Sequence, residues 1–248
     1  MYQVGGFDSD QVVDAETGAP ISVIAAKFSL FARPASFSQT GGDVLTIGLP
    51  NTDMAIVSTK TGQIDATLPA AVEGQFFSRW VAVSPDGQKA AQLKMPMALD
   101  MLHPVYELCL LSLHPVKRLR CKTVQLSKPP IVFSPDGKTF LIADNDNNLL
   151  DEYDAKTLDL VRTLPGQRAA VTSISFSPDG SKILTTSNDW TAQIIDAPSR
   201  AVIPLIGHQA AVNGGSFSAD GRTVVTASDD GSVILWDARD GTKRQVLR

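Results

Sequence analysis

Apolar and polar residues alternate at period two along most of the chain, in short runs. Val171-Thr-Ser-Ile-Ser-Phe176 is one such run, and it reads as a strand. Ser-Pro-Asp-Gly follows: Pro presets the first turn dihedral, Asp can hydrogen-bond the backbone beyond it, and Gly accepts positive φ. A second run returns as Lys182-Ile-Leu-Thr-Thr-Ser187, the polar pair Asn188-Asp189 turns the chain again, and a third run ends Ile194-Ile195-Asp196. Ala201-Val-Ile-Pro-Leu-Ile206 supplies a fourth. No segment sustains a 3.6-residue apolar period, so the pattern predicts short antiparallel strands and essentially no helix.

The unit recurs. FSPDG stands at Phe133 to Gly137 and at Phe176 to Gly180, VSPDG at Val83 to Gly87, and FSADG at Phe217 to Gly221. A decayed copy, FSQTGGD, begins at Phe37, and the first residues of the five strings lie 46, 50, 43 and 41 positions apart. Four strands at a period in the forties describe one blade of a β-propeller, and a chain of 248 residues holds about six. The expected fold is therefore all-β, a β-propeller of four-stranded antiparallel blades, forming a single domain over 1-248. The blades fall near 1-26, 32-72, 79-126, 129-165, 170-206 and 211-248, with the first incomplete. Asp10 to Gly18 aligns with Gly231 to Gly241, placing Val13 on Trp236 and Asp14 on Asp237, so the chain starts inside a blade. Lost upstream repeats, an irregular segment of the same chain, or another chain could each complete that blade, and an open sheet edge invites self-association.

The last unit has Gly207-His208 before its innermost strand and Trp236-Asp237 closing its third, with 27 residues between His208 and Trp236. In this it closely resembles the WD-repeat β-propeller family. The resemblance implies a buried structural tetrad at His208, Ser228, Asp230 and Trp236, in which a hydroxyl bridges the imidazole and the indole. The preceding unit keeps Ser187 and Asp189 but has Gln167 at the His position and Ile195 at the Trp position; the one before keeps Asp146 and ends in Tyr153-Asp154 after one inserted residue. Between Val83 and Phe133 no tetrad is recognisable. The resemblance further implies a non-catalytic scaffold that binds protein or peptide partners through one loop face. Position by position, that face comprises Arg168, Thr172 and Asn213 at the entry to the innermost strands, and Asn145, Asn188, Trp190 and Asp229 between second and third strands. Trp190 follows Asp189 directly, in a turn rather than in the core, which makes it a candidate anchor or a packing residue for the neighbouring blade.

Composition narrows the chemistry. The 22 Lys+Arg and 26 Asp+Glu give a formal charge of −4, too little for polyanion binding by bulk charge, so neither nucleic acid nor membrane is an expected partner. No apolar run reaches membrane-spanning length, MYQVGGFDSDQ has no leader pattern, and two cysteines fit a reducing compartment, all pointing to a cytoplasmic protein. Ser228, His208 and Asp230 have the residue types of a hydrolase triad, but no G-x-S-x-G string accompanies them. Asp144 to Asn148 begins like a calcium loop and then departs from it at Leu149 and Ala155. His103, Cys109, His114 and Cys121 have zinc-ligand types. Cys109 and Cys121 are equidistant from Pro115, so a hairpin centred there sets them face to face and leaves His114 roughly 16 Å away. Buried thiols are the expectation, a cross-strand disulfide the alternative. The innermost strands (32–38, 79–84, 129–134, 171–177 and 212–218) contain no Asp, Glu, His or Cys, so no metal or cofactor is expected. A metal-dependent lactonase-like hydrolase and a piece of a larger multidomain signalling protein are the competing readings. Lys117, Arg118, Arg120 and Lys122 form the one dense basic cluster, placed on an outermost strand, where charge either guards the edge or meets an acidic partner.

Overall fold

In the computed structural model the described residues are 2–6, 9–13, 20–24, 36–37, 44–48, 54–58, 63–68, 76–96, 105–125 and 130–248. Among them every regular element is a strand, and there is no helix long and apolar enough to cross a membrane. The chain divides into two compact units, Met1–Gln125 and Leu126–Arg248. The decayed turn after Phe37, the Asp14 position and His103 lie outside the described residues.

The first unit opens with a three-stranded antiparallel sheet, β1 (Tyr2–Gly6), β2 (Ser9–Val13) and β3 (Pro20–Ile24). Two four-stranded sheets follow. One comprises β4 (Ser36–Phe37), β5 (Val44–Gly48), β6 (Met54–Ser58) and β7 (Ile64–Leu68); the other comprises β8 (Phe76–Val83), β9 (Lys89–Pro96), β10 (Val105–Leu113) and β11 (Val116–Gln125). The second unit holds three four-stranded sheets: β12 (Ile131–Phe133) to β15 (Leu160–Pro165) through β13 (Thr139–Asp144) and β14 (Leu149–Asp154); β16 (Val171–Phe176), β17 (Lys182–Ser187), β18 (Thr191–Asp196) and β19 (Val202–Ile206); and β20 (Val212–Phe217), β21 (Thr223–Ser228), β22 (Val233–Asp237) and β23 (Lys243–Leu247). Strands are neighbours in chain order throughout, and all pairings are antiparallel. These are sheets of propeller-blade type.

In β17 period-two alternation does not separate an inside from an outside, because both faces of that middle strand are covered. Ile183 to Ser187 are all buried there, whereas in β21 Val224 and Thr226 are buried and Val225 and Ala227 are exposed. Ile183 and its cross-strand neighbour Ile195 pack on Leu141, Ala143 and Leu150 of the preceding sheet. Leu184, Ala192 and Ile194 pack on Val224, Ile234 and Trp236 of the following one. The sheets approach closely at Gly215, where a Cβ would stand 2.9 Å from the Leu184 side chain and 2.8 Å from the Val225 carbonyl oxygen. In the first unit, Val81, Val83, Ala90, Cys109, Leu111 and Leu113 pack in the same manner on Ile56 and Leu68.

The four repeated turns share one hydrogen-bond scheme. Ser84, Ser134, Ser177 and Ser218 donate to Asp86, Asp136, Asp179 and Asp220 at 2.6–2.7 Å. Each serine hydroxyl also accepts from the N–H five residues on, at 2.9–3.1 Å. Each aspartate accepts a second bond from the N–H two residues on, and the glycines stand at φ 68–72°. Ala219 replaces proline without altering this scheme, so the serine–aspartate pair, rather than proline, closes the turn.

Hydrogen bonding from the serine hydroxyl, and then from backbone N–H groups, holds all four aspartates below the usual carboxylate range. A depressed carboxyl stabilises the fold fully above its unfolded pKa and loses that contribution as pH falls through the folded value. The melting temperature should therefore fall as pH is lowered from about 5 to about 3. Asp→Asn replacement at all four positions should lower it at neutral pH and flatten the acid limb, read by thermal denaturation across that range.

Candidate functional site

The turns between β17 and β18 and between β21 and β22 lie beside the connections that enter β16 and β20. Backbone bonds tie them together: Asn188 N–H donates to Ala170 at 3.1 Å and Asp229 N–H to Ala211 at 3.0 Å. Behind this loop face of the last sheet sits a buried polar network. His208 approaches Asp230 and Ser232 through Nδ1, each at 3.1 Å, and Thr226 through Nε2 at 2.8 Å. Trp236, 1% exposed, donates its indole N–H to the same Thr226 hydroxyl at 2.9 Å. An indole only donates, so Thr226 accepts from it and has one proton left for His208 Nε2; Nδ1 then carries the imidazole proton toward Asp230. Asp230 also accepts from Gln209 N–H at 2.8 Å and from the Ser232 hydroxyl at 2.6 Å. With the Ser232 hydroxyl contributing most, these bonds hold its carboxyl well below the usual range. Lys243 covers the indole, its Nζ 5.6 Å from the ring centroid.

The structure thus brings His208, Asp230 and Trp236 together, but the bridging hydroxyl is Thr226 and not Ser228. Register explains the difference. Trp236 pairs with Val224, two residues from Thr226 and four from Ser228. At about 3.3 Å per residue only the nearer hydroxyl lies within reach of the indole. Ser228 instead donates to the Ala210 carbonyl and accepts from Asp230 N–H, both at 3.1 Å. It shapes the turn.

The preceding sheet repeats the network with different side chains. Gln167, buried at the histidine position, donates to Thr185 at 3.0 Å, and its side-chain oxygen lies 3.3 Å from the Thr191 hydroxyl. Thr191 donates to Asp189 at 2.6 Å, and Asp189 accepts from Arg168 N–H at 3.0 Å. Ser187 donates to Ala169 at 3.1 Å, as Ser228 does to Ala210. Ile195 fills the tryptophan position and asks nothing of Thr185. Sequence reasoning missed Thr226, Ser232, Thr185 and Thr191. The available signal was a hydroxyl residue two before the serine and another two after the aspartate, in both units. In the sheet before, Tyr153 pairs with Phe140 at the tryptophan level and stacks on it. Burial, then Asp151, pushes the Tyr153 phenol up to about 12.

The seven loop-face residues separate into two groups. Asn145 accepts from Val171 N–H at 2.8 Å, and the Thr172 hydroxyl bonds Val212 carbonyl at 2.5 Å. Both tie one sheet to the next. Arg168, Asn188, Trp190, Asn213 and Asp229 are exposed, with Asn213 donating to Asp229. Trp190 is 56% exposed at φ 74°, where the equivalent residue of the last sheet is Gly231 at φ 78°. Asp144 spends its carboxylate on Asp146 N–H, Asn147 N–H and the Asn147 amide, so the calcium-like string is a self-bonded turn.

The cysteines differ from the expected free thiols. Cys109 and Cys121 form a disulfide across β10 and β11. The strands turn at His114-Pro115, pairing Leu113 with Val116, and a bulge between Leu110 and Leu111 shifts the register by one to set Cys109 opposite Cys121. Without the bulge Arg120 would face Cys109. Glu107 lies within 4.8 Å of both sulfurs, which the disulfide occupies.

Residues 158–196 and 200–237 match the WD40 family, described as WD domain, G-beta repeat. Residues 158–237 thus carry two repeats of WD type. Among curated proteins, WD repeat-containing protein 1 of Gallus gallus is 40% identical over 74 residues, and that of Bos taurus 38% identical over 74 residues. In both, the matched stretch is 29% of this chain and 12% of the relative. The two family matches run from β15 to β18 and from β19 to β22, and they contain both buried networks, including the one with Gln167 in place of histidine.

Thr226→Val keeps shape and removes the bridge, leaving the Trp236 N–H and His208 Nε2 unpaired in the interior. Unfolding measurements should show a loss of about 2–4 kcal/mol, against about 1 kcal/mol for Ser228→Ala. Equal losses would contradict the assignment of Thr226 as the bridge.

Proposed function

We propose that this WD-repeat protein is a non-catalytic interaction platform that binds a protein or peptide through the turns carrying Arg168, Asn188, Trp190, Asn213 and Asp229. Proteins of this family are typically interaction scaffolds. The observation that supports the reading is Trp190. A bulky residue in the left-handed region is a backbone outlier costing of order 1–3 kcal/mol, and burying the indole would ordinarily offset that cost. Trp190 is instead 56% exposed. Strain retained on an exposed aromatic suits an anchor that is desolvated only when a partner seats on it. The polar network behind the turns gives the anchor a fixed base, and Asn145 and Thr172 hold adjacent sheets in register as positioning residues. In this proposal the chain is one propeller domain, and the turns of the last two sheets provide the face.

Trp190→Gly separates binding from folding. It relieves the left-handed strain, so the melting temperature should rise, by the equivalent of about 1 kcal/mol. Partners captured from native lysate by the wild-type chain should bind at least tenfold more weakly to the variant, as expected of a central aromatic worth about 2 kcal/mol. Retention of every partner at unchanged affinity would remove Trp190 from the contact.

A further inference from the structure

The outermost strand β11 carries a second candidate contact surface, remote in sequence from the Trp190 face and independent of it. Among the described residues β11 is an edge of its sheet, whose order is β11-β10-β9-β8. At ten residues it is the longest strand described, against five or six for the closing strands β3, β7, β15, β19 and β23 of the other sheets. Four of the chain's 22 cations fall within residues 117–122 of a molecule whose net charge is −4.

The bulge organises them. Lys117, Arg120 and Lys122 stand opposite Ser112, Leu110 and Leu108, on one face of the hairpin, and Leu119 is the unpaired extra residue, 49% exposed. Arg118 stands opposite Leu111 on the other face, 3.6 Å from Glu107. Three cations thus share a face at steps of about 6.6 Å, the spacing of alternate residues on an extended chain. On the Arg118 face, opposite Glu107, Lys94 is 2% exposed, and burial, then Arg118, lowers its pKa. The Cα atoms of Cys109 and Cys121 are 4.1 Å apart, the close spacing of a non-hydrogen-bonded pair, so the N–H and C=O of Cys121 point away from β10 toward the open side.

Edge strands are usually guarded by shortness, proline, a bulge or charge, lysine especially, and β11 has the last two. Pro204 in β19 and the five-residue length of β23 follow that practice. β11 departs from it in length and in the concentration of one sign of charge on one face. We infer that β11 is a docking ledge for an extended acidic segment of a protein partner, which adds as a strand on its open edge and sets alternate carboxylates against Lys117, Arg120 and Lys122.

The probe is a fluorescent nonapeptide alternating Glu and Thr, read by anisotropy on the full chain. Three comparisons accompany it: the same peptide with Lys for Glu, an N-methylated version, and single-stranded oligothymidylate of nine nucleotides. The acidic peptide should bind with an affinity that falls at least tenfold in K117S/R120S/K122S and stays within twofold in R200S/R222S/R239S, which removes equal charge elsewhere. The N-methylated and lysine peptides should bind at least tenfold more weakly, since strand addition needs the backbone N–H groups and the carboxylates. If the serine triple lowers the melting temperature by more than a few degrees, the glutamine triple at the same positions replaces it. Absence of binding by the acidic peptide, equal binding to the charge-removed ledge, equal binding of the N-methylated peptide, or tighter binding of the oligonucleotide would each overturn the proposal.

Discussion

A four-stranded sheet whose middle strands are apolar on both faces cannot be stable alone; it needs a neighbour on each side. That constraint runs through the second unit of this chain. β17 and β18 bury Ile183 and Ile195 against one sheet and Leu184 and Ile194 against the next. Because the middle sheet of this unit supplies half of two interfaces, repeat spacing and strand order are fixed together, and the turns gather at the two ends of the sheets. Loops at those ends are released from packing duties and can carry side chains that the core would not tolerate.

Polar pins cross this apolar stack at fixed levels. Thr226 satisfies an indole and an imidazole at once, and Asp230 gathers the imidazole, a hydroxyl and two backbone N–H groups. Nothing in the interior compensates for losing such a group, because water has no access to the orphaned partner. In the neighbouring sheet Gln167 occupies the same place with a carboxamide, donating to Thr185 and setting its oxygen 3.3 Å from Thr191. Ile195, at the tryptophan position, brings no donor to that network.

Much of this was legible in the residues themselves. The Ser-x-Asp-Gly strings marked the first turn of each complete unit, and period-two runs on either side marked the strands, because turn chemistry is local and repeats it four times. The tetrad was legible only in part. His208 and Trp236 are rare residue types and announce themselves, whereas Thr226 and Ser228 are two hydroxyls on the same strand face. Only the pairing of Trp236 with Val224 decides between them. That Cys109 and Cys121 face each other was legible from their equal distance to Pro115, but the bulge that brings this about was not, because no alternation pattern reports where the extra residue sits. The strain at Trp190 was equally invisible, since a positive φ at a non-glycine residue leaves no mark in composition. Asn145 and Thr172 look like any exposed polar loop residue until their partners on the next sheet are seen.

The central claim is that a rigid, pinned interior supports an exposed anchor on the loop face. Hydrogen exchange of the indole N–H groups, followed by NMR on tryptophan-labelled protein, tests both halves in one experiment. The Trp236 N–H, buried and bonded to Thr226, should exchange only through global unfolding, with a rate that tracks denaturant as the whole fold does. The Trp190 N–H should exchange at nearly the rate of a free indole. Rapid exchange at Trp236, or protection at Trp190 in the absence of a partner, would contradict the account.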